Sequence, residues 1–82
     1  MERKQIRDNL VRLLKAQIED ISVNETIEDE EPLENYGINS VAILKILVNI
    51  EKVFPISIDD DDFDERNFVT LNAMIEFVER KL

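Results

Sequence analysis

Apolar residues recur at helical spacing in three separated stretches, and nothing else in the chain supplies the paired strands a sheet would need. In the first stretch, 3–21, Ile6, Leu10, Leu13, Leu14, Ile18 and Ile21 fall on one stripe, with Arg7, Arg12, Lys15 and Glu19 largely opposite. The second, 40–54, sets Val41, Leu44, Leu47, Val48 and Glu51 along one face, and Ile43, Ile46, Ile50 and Val53 widen it. Pro55 stops it, because the residue before a proline is disfavoured in the helical region. The third, 71–81, carries Leu71, Met74, Ile75 and Val78 on its buried side, behind Thr70 as N-cap. Ile56 and Ile58 alternate as in a strand but have no partner. That segment therefore reads as a loop leading into a short turn of helix around Asp62 to Asn67, with Phe63 and Phe68 pointing inward. The pattern predicts an all-α fold: a small antiparallel bundle of three main helices plus one short helix, with a long first loop, in a single domain over 1–82.

That loop, 22–39, holds Pro32, Gly37 and six carboxylates, with only Val23, Ile27, Leu33, Tyr36 and Ile38 available for burial. A connection of this length inside a small domain usually has a function. Its scattered apolar residues suggest that it is laid across the core.

Composition removes several classes of activity. The chain has neither cysteine nor histidine, so disulfides, Cys-type zinc sites and the usual nucleophile and base pairs are absent, and an intrinsic enzyme is not expected. A net charge of −9 opposes nucleic acid binding. The opening "MERKQIRDNL" is charged from its second residue, which fits neither a signal peptide nor a membrane span, and points to a soluble cytoplasmic protein. The acidity sits in the two connecting segments, 22–39 and 54–68, where a solvated surface is the plain explanation. "DDDDFDE" fails as a calcium loop: counted from Asp59, Asp64 stands where the turn needs glycine and Thr70 where a bidentate glutamate belongs. No metal site is expected, and no heptad seam calls for more than a monomer.

The junction "NYGINSVAILK" carries the functional signal. Gly37 permits a sharp turn, and Asn39 and Ser40 are both favoured helix caps. Ser40 has a second possible role, since a serine in the first turn of a helix faces unpaired amides and the positive end of the dipole, where an attached phosphodiester is electrostatically welcome.

The run "LENYGINSVAILKILVNIEKVFPISI" followed by "DDFDERNFVTLNAMIEFVERKL" resembles the acyl carrier and peptidyl carrier protein family. Its attachment motif is roughly Gly-x-Asp-Ser-Leu at the start of the second helix. Gly37, Ser40 and Val41 occupy those places, and Asn39 stands where the family usually has aspartate. The likeness covers nearly the whole chain. It implies that Ser40 receives 4'-phosphopantetheine from coenzyme A by way of a phosphopantetheinyl transferase, and that the arm's thiol carries acyl or aminoacyl groups as thioesters. A chain without cysteine must import such a thiol. The resemblance also assigns docking to Val41 and Leu44, with Tyr36 or Ile38 at the loop edge and Lys45 on the same helix. The spacing alone leaves Val41 and Leu44 equally readable as core.

Two departures narrow the expected partners. Asn39 keeps the capping oxygen without the charge, so a transferase that reads aspartate there is a poor match. The second helix holds only Lys45, Glu51 and Lys52 as charges, whereas the family's fatty acid carriers have an acidic one. These features predict a specialised, stand-alone carrier, served by its own acyl- or aminoacyl-loading ligase and downstream enzymes. The alternative is a helical interaction module that docks a partner without any prosthetic group.

Overall fold

The structure, a computed structural model, describes residues 2–17 and 26–82. It contains three α-helices: α1 (Arg3–Gln17), α2 (Ser40–Val53) and α3 (Leu71–Lys81). The expected final turn of α1, with Ile18 and Ile21, and the loop residue Val23 lie outside the described residues. No described residue forms a strand. Among the described residues no helix is long and apolar enough to cross a membrane.

Helix α1 packs against both α2 and α3, and its stripe supplies Ile6, Leu10 and Leu14 to the core. Leu13 is only partly covered. Helix α3 starts where expected: the Thr70 hydroxyl accepts a hydrogen bond from the Ala73 amide at 3.0 Å. It buries Leu71, Met74, Ile75 and Val78, and also Phe77. Phe77 is covered where the Glu65–Asn67 turn and Phe68 pack against α3. Its ring meets that of Phe68 edge-on, centroids 5.2 Å apart and planes at 72°, an arrangement that matches the positive ring edge to the negative face.

Three of the sequence expectations need correction. The loop before α2 is partly ordered as a 3-10 turn, Leu33–Tyr36. In place of one short helix around Asp62 to Asn67 there are two 3-10 turns, Asp60–Asp62 and Glu65–Asn67. Aspartate side chains cause the split by competing for backbone amides. Asp62 accepts from the Asp59 amide at 2.8 Å, and Asp64 accepts from the Arg66 amide at 3.0 Å, so a new turn begins at Asp64. Phe63 falls between the turns and is 53% exposed instead of pointing inward, while Phe68 is buried.

On α2 the structure decides what the spacing left open. Ile46, Leu47 and Ile50 are buried, whereas Val41, Leu44, Val48 and Val53 are exposed. This helix is apolar around most of its circumference, and only the arc facing α1 and the loop is covered.

Cations of α1 tie the first loop and α3 to the bundle. Arg7 pairs with Asp29 at 2.9 Å, and the Asp29 carbonyl accepts the Asn72 amide at 2.9 Å. Arg3 pairs with Glu79 and donates to the Asn72 side-chain oxygen. Pinned at this end, the loop lays Ile27, Leu33 and Ile38 into the core.

Candidate functional site

The loop reaches α2 through a fixed sequence of backbone contacts. Leu33 donates its amide to the Val69 carbonyl at 2.8 Å, which anchors the 3-10 turn to the segment before α3. Gly37 ends that turn in the left-handed region, with φ +84°, and its amide donates to the Glu34 carbonyl at 3.0 Å. A side chain there would be strained by the backbone alone, since a Cβ would meet nothing within 4 Å. Ile38 then turns into the core at 4% exposure, so it does not form the docking edge expected of it. Tyr36 is half-buried, and its hydroxyl accepts the Glu28 amide at 2.9 Å.

Capping and exposure fall on different residues at the next step. Asn39 is the N-cap: its Oδ1 accepts the Ala42 amide at 3.0 Å, and its carbonyl accepts the Ile43 amide at 3.0 Å. Ser40 is the first helical residue, exposed, and its hydroxyl bonds to none of the described residues. The amides of Ser40 and Val41 likewise have no acceptor among the described residues. A free hydroxyl beside two unpaired amides and the positive helix end suits a phosphodiester.

An open groove of about 780 Å³ adjoins Ser40. Leu33, Ile43, Leu47, Phe63, Phe68 and Val69 supply its apolar lining. Its wall also carries Asp64, whose carboxyl is held down to about 2, first by the hydrogen bond from the Arg66 side chain and then by the Arg66 amide. The part played by Phe63 and Val69 had no signal in the sequence, because the groove joins segments about 25 residues apart. Among the described residues no group of three or more Asp or Glu is arranged to hold a metal ion. Asp62 is occupied by Lys81 and Asp64 by Arg66.

A family model described as "Phosphopantetheine attachment site" matches residues 4–78. The chain belongs to this family. An acyl carrier protein of Desulforapulum autotrophicum is 24% identical over 70 residues, covering 85% of this chain and 88% of that protein. Phosphopantetheine attachment domains are carriers, not enzymes: 4'-phosphopantetheine is bound to them covalently, and they act with transferases and biosynthetic enzymes. The structure gathers Gly37, Asn39 and Ser40 at one helix start and places Val41, Leu44 and Lys45 on the exposed side of the same helix.

Proposed function

We propose that Ser40 is the attachment residue, and that the protein carries acyl or aminoacyl intermediates as thioesters for a specialised biosynthetic route. The observation that carries this reading is the exposed Ser40 hydroxyl, free of hydrogen bonds, at a helix start whose cap is supplied by Asn39. The attached group would supply a terminal thiol, which a chain without cysteine does not have. The remaining roles belong to this chain's own residues. Gly37 sets the turn, Asn39 holds the first helical turn, and the amides of Ser40 and Val41 would be the donors available to the phosphodiester. Tyr36, Val41, Leu44 and Lys45 form the surface that a transferase, a loading ligase and later enzymes would meet. The apolar groove beside Ser40 gives an acyl group a place out of water. We place the protein in the cytoplasm, as a monomer acting where coenzyme A is available.

Intact-protein mass spectrometry tests the assignment, after incubation with coenzyme A, magnesium and a promiscuous phosphopantetheinyl transferase. Wild type should gain the mass of one arm, and Ser40→Ala should gain none while keeping its helical circular dichroism. If wild type gains nothing, or if Ser40→Ala is still modified, the reading is lost. In the first case a docking module without a prosthetic group is what remains.

A further inference from the structure

Helix α2 turns an unusual face to solvent. Val41, Lys45, Val48 and Lys52 follow one another at spacings of four, three and four residues, which keeps them on one arc, and Leu44 flanks it. All five are exposed, with Val41 at 61%, Leu44 at 54% and Val48 at 55%. Valines and lysines therefore alternate along about 16 Å of helix surface. Both lysines are unpaired among the described residues. Glu51, the helix's one carboxylate, accepts the Ile58 amide at 3.2 Å and is tied to the loop that follows. A chain of net charge −9 thus presents a positive, apolar face beside Ser40.

We infer that this face docks a partner protein whose contact surface is apolar and rimmed by carboxylates, and that Lys45 and Lys52 determine specificity by repelling basic surfaces. The inference rests on the carrier reading for its biological setting, but its physical content is independent of attachment. Charges rimming an apolar contact gain little in strength alone; they choose between partners, because like charges brought together are costly. The valines and Leu44 supply area to bury, and the lysines decide what kind of surface can cover it. Charge complementarity is what selects this partner.

A charge-swap cycle tests this. The probe is a phosphopantetheinyl transferase with a basic docking face, together with the same enzyme carrying glutamates in place of two docking arginines. Both are titrated against the full chain in a Ser40→Ala background and against Ser40→Ala/Lys45→Glu/Lys52→Glu. At low salt, the lysine chain should bind the acid-faced enzyme about tenfold more tightly than the basic one, and the glutamate chain should reverse the order. Both preferences should shrink as salt is added. If the lysine chain binds the acid-faced enzyme no better than the basic one, or if the cycle shows no coupling, the inference is overturned. Because Ser40 is absent from these titrations, their result is separate from the mass measurement on wild type, and either reading can fail alone.

Discussion

The side-chain oxygen of Asn39 accepts the amide of Ala42 at 3.0 Å, which leaves the neighbouring Ser40 hydroxyl without a structural task. Asn39→Ala removes the cap and should lower stability by about 1 kcal/mol, read as a fall in melting temperature. Asn39→Asp keeps the acceptor and adds a negative charge at the positive helix end, so it should match or exceed wild type at low salt. In a transferase assay the aspartate variant should also be modified at least as fast. A stability loss for Asn39→Asp as large as for Asn39→Ala would show that the cap is not what holds the turn.

Gly37 makes a purely backbone prediction. Its φ of +84° lies in the left-handed region, and a Cβ would meet nothing within 4 Å. Gly37→Ala should therefore destabilise by roughly 1–2 kcal/mol without any clash. Gly37→Asn should lose less, because asparagine tolerates that conformation. Equal losses for the two would point to packing instead, and chemical denaturation measures both.

Phe77 and Phe63 separate core from surface. Phe77 is 1% exposed and meets Phe68 edge-on, so Phe77→Ala should cost about 3–5 kcal/mol and unfold a domain this small at modest temperature. Phe63 is 53% exposed, and Phe63→Ala should change stability by about 0.5 kcal/mol or less. Urea midpoints for the two variants check the contrast. A large loss at Phe63 would mean that its ring is buried in solution.

Where one physical constraint acted alone, the sequence was readable. Thr70 and Pro55 bound their helices because capping and proline sterics are local, and the third stripe named Leu71, Met74, Ile75 and Val78 correctly. Ser40 stood out because a glycine turn precedes an apolar helix. The exposed side of α2 was not readable: when nearly every position is apolar, burial is decided by what packs alongside, and periodicity holds no information about that. Ile38 shows the same limit, since its place in the core depends on the loop being pinned at Asp29 and Val69. Phe63 and Phe68 looked equivalent until aspartate capping split the short helix between them.

Lys81 links the end of α3 to the acidic run and makes a prediction in pH. Its Nζ lies 2.9 Å from Asp62 Oδ2 and 3.5 Å from Asp59 Oδ2. The hydrogen bond from Lys81, followed by that from the Asp59 amide, holds the Asp62 carboxyl below its ordinary 3.8. The hydrogen bond to Asp62 raises Lys81 above its ordinary 10.5. A carboxyl depressed by folding contributes stability that is present above its unfolded value and is lost as pH falls through the folded one. A raised lysine contributes stability that is present below its unfolded value and is lost as pH rises through the folded one. The difference in melting temperature between wild type and Lys81→Met should therefore be flat between the two ordinary values, and shrink as pH falls below 3.8 and as it rises above 10.5. A difference that stayed constant across that whole range would assign the contribution of Lys81 to the packing of its methylenes, with none to its charge.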